Sequence, residues 1–343
     1  GHEIGDILGC DEKGEEICVR KGKGNLYVDG DMEKEQLFDF MRSQIYQNIQ
    51  RGDSMVIVDL GSRIYKRELW IYLTIHGYRV DSYNMDCMTE SDCFNCLDGL
   101  GAENEEQIVM IANDIIDDQK YKFMTYPVET ACKALLSAVL LASLTEMEES
   151  DRNMLEIATI FRLGVSGTML DKILHVMFEE LDETSSAKQL FAMYSEAEEG
   201  IRMEAIQKIG NALAVYEKRA NGSLCDNFRT NRYDMEMPVK EKSVLFIESG
   251  QLPEDKVLFS VFMERLYDSM LKKAEERQQD VTVMLLDYPY YGGLCGLEKY
   301  MEEGPEKGIC TTLYEDDRKL DGSGYAPHLV ELYSLCDISV CIK

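Results

Sequence analysis

Apolar residues follow two rhythms along this chain, and the rhythm changes twice. Asn25-Leu26-Tyr27-Val28 predicts a short strand, and Gln36 to Gln47 a helix after it. Ser54-Met55-Val56-Ile57-Val58-Asp59 is a continuous apolar run closed by Asp, as in a strand covered on both faces. Tyr65 to His76 has apolar residues three and four apart, and Gly77 stops it as a helix cap would. Tyr78 to Asn84 is the next strand. Strand alternating with helix predicts βαβ units and a parallel sheet.

From about Glu105 to Lys218 the spacing is helical, with almost no strand signal: Ile108 to Ile116, Val128 to Leu144, Asn153 to Arg162, Thr168 to Leu181 and Ser186 to Tyr216. After Pro238 the alternation returns. Ser243 to Glu248 reads as a strand, Val257 to Gln278 as a long helix and Val281 to Asp287 as a buried strand. Ile309 to Tyr314 and Ile338 to Ile342 close the series. The pattern predicts an α/β fold whose sheet is built from both ends of the chain, residues 1–104 and 236–343. An all-helical insertion over 105–235 interrupts it.

The 343 residues exceed the usual size of one domain, and 45% hydrophobic content is enough for sizeable cores. Acidic residues outnumber basic ones 64 to 36, a formal net charge of −28. Nucleic acid is captured mainly by Lys and Arg on phosphates, so direct nucleic-acid binding is not expected; a basic protein partner is compatible. Eleven scattered cysteines suit reduced thiols. Cys87, Cys93 and Cys96 cluster, with His76 upstream, but a zinc site needs a second close ligand pair; buried thiols are expected and no metal. The longest apolar run, Ala134 to Leu144, is too short to span a bilayer. A soluble, cytoplasmic chain is expected. The sequence opens on Gly1, and what precedes it is left open.

Candidate chemistry centres on the turn after the first of these strands. Between Val28 and Gln36 lies Asp29-Gly30-Asp31-Met32-Glu33-Lys34-Glu35. A phosphate-binding turn there needs glycines, whose N–H groups point inward, then Lys and Ser or Thr. Counted from Gly30, those positions hold Glu35, Gln36 and Leu37. Asp29, Asp31, Glu33 and Glu35 would repel a triphosphate, with only Lys34 between them. No bound nucleotide or other cofactor is expected.

The order of segments resembles the TraG/TraD-type coupling ATPases of conjugative type IV secretion. Asn48 to Ser54 followed by Val56-Ile57-Val58-Asp59 is similar to the family segment after the phosphate loop, where Asp59-Leu60-Gly61-Ser62-Arg63 stands for Asp-Pro-Lys-Gly-Glu. Gly77 to Val80, Tyr83-Asn84-Met85, Ser91 to Asn95 and Lys242 to Glu248 follow the family order. Asp287-Tyr288-Pro289-Tyr290-Tyr291-Gly292-Gly293-Leu294 is similar to its Walker B strand, and Leu335-Cys336-Asp337 to its late strand. The resemblance covers nearly the whole chain. It implies a RecA-like, P-loop-NTPase-type parallel sheet with an inserted all-helical domain, in a membrane-tethered hexameric ring that moves DNA.

The chain departs from the family where the chemistry is done. The phosphate loop is lost. Asp287 stands where the family holds Mg²⁺, but Tyr288 replaces its catalytic Glu, and a phenol of pKa about 10 is no base at neutral pH. Thr311 to Glu315, at the sensor strand, lacks Gln. Phosphoryl transfer relies on positioning and charge stabilisation, so these losses remove most of the machinery. The expectation is therefore a non-enzymatic component with a degenerate site around Asp29, Gly30, Asp31, Lys34, Asp59, Asp287 and Tyr288. Its partners would be proteins of a conjugation apparatus, an active homologue among them. An unconventional nucleotide hydrolase and an acidic adaptor are the alternatives.

Overall fold

A computed structural model describes residues 6–10, 16–19, 24–30, 34–59, 64–87, 91–116, 124–162, 166–220, 228–249, 255–286, 294–316 and 331–342. The chain divides into two compact units: residues 1–86, 234–251 and 265–343, and residues 87–233 with 252–264.

The first unit is built on a seven-stranded sheet. Its strands are β3 (Asn25–Gly30), β4 (Ser54–Asp59), β5 (Arg79–Asn84), β6 (Ser243–Glu248), β7 (Val281–Leu286), β8 (Ile309–Asp316) and β9 (Cys336–Ile342), in spatial order β5-β6-β4-β7-β8-β3-β9. Every neighbouring pair is parallel. Parallel strands need crossovers, here supplied by α1 (Lys34–Arg51) and α2 (Ile64–Ile75). All six residues of β4 and of β6 are buried, which is why those segments read as unbroken apolar runs. Val28, Ile57, Phe246 and Met284 form one core with Met41 and Ile45 of α1 and Leu69 and Leu73 of α2. Gly77 takes a left-handed φ of 79° after α2, where a side chain would strain the backbone.

The sheet and its helices are those expected. Two short strands were not: β1 (Asp6–Cys10) and β2 (Glu16–Val19) pair antiparallel as a separate ribbon. Each is too short to show a periodic pattern.

The second unit is helical: α3 (Glu105–Ile116), α4 (Tyr126–Glu146), α5 (Met154–Arg162), α6 (Gly167–Glu179), α7 (Ser186–Ser195) and α8 (Glu199–Ala220). The predicted segment from Ser186 to Tyr216 is two helices. Its break falls at Glu196, whose N–H bonds back to the carbonyls of Ala192 and Tyr194. Helix α4 outgrows the apolar run that marked it. At 21 residues it is long and apolar enough to cross a membrane, but 72% of its most apolar stretch is buried, and it packs against α3, α7 and α8 as a core helix.

Two ionisable groups in this core link stability to pH. Burial, reinforced by Glu204, pushes the Cys132 thiol up to about 12. Burial and the hydrogen bond to Asp171 raise the Tyr194 phenol above its usual range. A raised folded pKa means the folded chain keeps a proton that the unfolded chain releases. The stability this contributes is complete below the ordinary thiol range and drains away as pH rises. Denaturation midpoints are expected to fall between about pH 9 and about 12. Cys132→Ala should flatten part of that slope, and an unchanged slope would refute the assignment.

Candidate functional site at the carboxyl ends of the strands

Parallel sheets bind ligands beyond the carboxyl ends of their strands. In this sheet, ladder register sets Asp59 opposite Glu248, and Glu248 opposite Asn84. Asp29 stands opposite Glu315, and Gly30 opposite Asp316. The end of β3 is separated from the end of β7 by β8 alone, about 10 Å across two strand spacings. At the ends of β4 and β6 this register sets two buried acidic residues side by side.

Asp59 is 3% exposed and its Oδ2 accepts the Tyr65 N–H at 3.4 Å, which satisfies a free donor in the first turn of α2. Glu248, 4% exposed, is held by two donors. Lys66 Nζ lies 3.1 Å from its Oε2, and Ser82 Oγ donates to the same oxygen at 3.1 Å. Lys66 also donates to Ser82 Oγ at 2.9 Å, so its charge is spent on this cluster.

Asp29 belongs to the strand more than to the turn. Val28 faces the α1 core, so Tyr27 and Asp29 alternate to the other face. There the Tyr333 hydroxyl donates to Asp29 Oδ2 at 3.0 Å, and the Tyr333 ring packs on Tyr27 with centroids 3.7 Å apart. Burial raises the Tyr333 phenol, with the Asp29 hydrogen bond adding to it. Asp29 Oδ1 is buried without a hydrogen bond.

Of the other predicted site residues, Gly30 ends β3 and Lys34 opens α1. Asp31, Asp287 and Tyr288 lie outside the described residues, as do Glu33 and the side chains of Lys34 and Glu35; β7 ends at Leu286. The structure thus brings Asp59 into a buried acidic cluster and places Asp29 on a different face of the sheet from α1. Lys66, Ser82, Glu248 and Tyr333 went unseen as site neighbours because side-chain hydrogen bonds between elements distant in sequence join them, not spacing. The segment Asn48 to Ser54 lies at the opposite, amino-terminal edge. Arg51 there bridges Asp53 Oδ2 and Asn48 Oδ1, each at 2.6 Å, a structural clamp.

Among the described residues, no group of three or more His, Cys, Asp or Glu side chains is placed to hold a metal. Cys93 and Cys96 are buried thiols. His76 closes α2, its Nδ1 lying 2.8 Å from the Tyr72 carbonyl.

No family model matches the chain, and no curated protein does. Solved structures do. The bacterial conjugative coupling protein TrwB, in its unbound monoclinic form, superposes with a TM-score of 0.67 at 16% identity, over 97% of this chain and 72% of that one. TrwB in complex with the ATP analogue ADPNP gives 0.64 at 14% identity, over 96% and 73%. VirB4 of Thermoanaerobacter pseudethanolicus gives 0.55 at 12% identity, over 100% and 85%. The resemblance drawn from motif order therefore reappears in three dimensions, and this chain has the fold of the conjugative coupling protein TrwB.

Proposed function

We propose that this protein is a component of a conjugative-transfer or type IV secretion apparatus, acting by binding other proteins and not by hydrolysing nucleotide. Its fold, shared with a conjugative coupling protein and with VirB4, supports the setting. The observation that carries the loss of chemistry is the turn after β3. Glu35, Gln36 and Leu37 occupy the places of Gly, Lys and Ser/Thr, among acidic neighbours. In this reading Asp287 has no metal to hold, and the protein works at the cytoplasmic face of the membrane beside an active homologue.

Isothermal titration of the full chain with ATP and Mg²⁺ tests it. The expected outcome is no heat of binding at ~100 μM ligand, where a site worth about 5.5 kcal/mol would be half filled. A tighter isotherm, accompanied by phosphate release, would establish an unconventional hydrolase instead.

A further inference from the structure

Helix α6 carries two apolar stripes, and the fold uses one of them. Leu170, Leu174 and Phe178, four residues apart, are buried in the helical unit. Alongside it, Met169, Ile173, Val176 and Met177 follow the i, i+4, i+7, i+8 spacing of a second, adjoining stripe. Met169 is 51% exposed, Val176 59% and Met177 54%, and Ile173 is half-buried. Met169, Val176 and Met177 leave most of their apolar surface outside the unit's own core. Its two methionines are unbranched and polarisable, suited to repacking against a partner.

The charge at one end of the stripe says what chemistry fits it. Glu179 and Glu180 close α6, and Asp182 and Glu183 follow at once. Carboxylates at a helix carboxyl terminus oppose the macrodipole, so this placement costs helix stability. Lys188 offsets it in part, donating to the Glu179 and Leu181 carbonyls at 3.0 and 2.8 Å and to Glu183 Oε1 at 2.8 Å. Glu179, Glu180 and Asp182 remain exposed. Lys172 is the cation on the flank of the stripe.

We propose that the outer face of α6 is a docking site for a cationic amphipathic helix of a partner protein. The partner's apolar residues lie along Met169, Val176 and Met177, and its Lys or Arg residues meet the acidic end. This surface belongs to the helical unit alone, so failure here leaves the reading of the loop after β3 untouched.

The test uses the full chain and a fluorescent 18-residue synthetic helix, with Leu along one face and Lys elsewhere, read by anisotropy. The expected result is micromolar affinity, on the order of 8 kcal/mol. Met169→Ser/Val176→Ser/Met177→Ser should weaken it at least tenfold with unchanged circular dichroism. Glu179→Gln/Glu180→Gln should weaken it and reduce its salt dependence. A composition-matched scrambled peptide that binds equally well would overturn the proposal, as general attraction to an acidic chain. So would no binding at all, or a triple variant that binds like the wild type. Self-association of the wild type that the triple variant abolishes would make the occupant a second copy, and would also overturn it.

Discussion

Asp171→Ala is expected to destabilise the helical unit by about 4 kcal/mol, read from urea denaturation. Asp171 is 6% exposed and receives three donors that come from two other helices. The Tyr194 hydroxyl of α7 donates to its Oδ1 at 2.7 Å, and the Arg202 guanidinium of α8 approaches both oxygens at 3.3–3.4 Å. His175, one turn on, places Nδ1 3.6 Å from the same carboxylate. Truncation leaves the fully buried Tyr194 hydroxyl without its acceptor, and removes the counter-charge from a guanidinium that is only 19% exposed. Removing one member of such a buried pair costs more than the pair itself contributes, because the survivor is stranded. Asp171→Asn keeps an oxygen for Tyr194 and loses only the charge, so its loss should be intermediate. If Asp171→Ala unfolds within 1 kcal/mol of the wild type, the carboxylate is not the tie between these helices.

The parallel strands of the sheet were legible because each is locally self-sufficient as a pattern. Ser54 to Asp59 and Ser243 to Glu248 are buried along their whole length, so every position is apolar or small up to the acidic residue that ends each run. Their spatial order was not legible. Nothing in the sequence of β3 says that β8 and β9 will flank it from almost three hundred residues away. The candidate site inherits that limit. Asp59 could be named from its strand-end position, but register sets Glu248 beside it, and Lys66 of α2 and Ser82 of β5 reach Glu248 only in the folded chain. Asp29 was read as a member of the turn. Strand alternation instead turns it to the Tyr333 side, and only Val28's burial against α1 reveals which side that is. The outer stripe of α6 was visible as periodicity, yet a single helix with two apolar faces reads simply as a helix.

Asn25 makes the strongest case for a residue whose role only the folded chain discloses. It is 1% exposed at the amino end of β3, and both ends of its amide are engaged. Nδ2 donates to the Met301 carbonyl at 2.6 Å and to the Leu335 carbonyl at 3.0 Å, while Oδ1 accepts the Thr311 N–H at 2.9 Å. One side chain thus ties β3 to the start of β8 and to the turn before β9, the strands on either side. Asn25→Ala strands one buried donor and two carbonyls, at about 1 kcal/mol or more each, so a loss of about 3–4 kcal/mol is expected. Asn25→Asp is the sharper experiment. Its oxygens can still accept from Thr311, but the other would face two carbonyls as a buried anion, so the loss should exceed that of Ala at neutral pH. Burial and carbonyl repulsion raise the pKa of such a carboxyl. The folded Asp variant then takes up a proton that the unfolded chain takes up only in stronger acid. Its deficit should therefore shrink as pH falls from 7 toward 5, while that of Asn25→Ala stays nearly constant. If Asn25→Asp proved milder than Asn25→Ala at pH 7, the donor half of the amide would be irrelevant, and the tie to β3 would rest on the oxygen that accepts from Thr311.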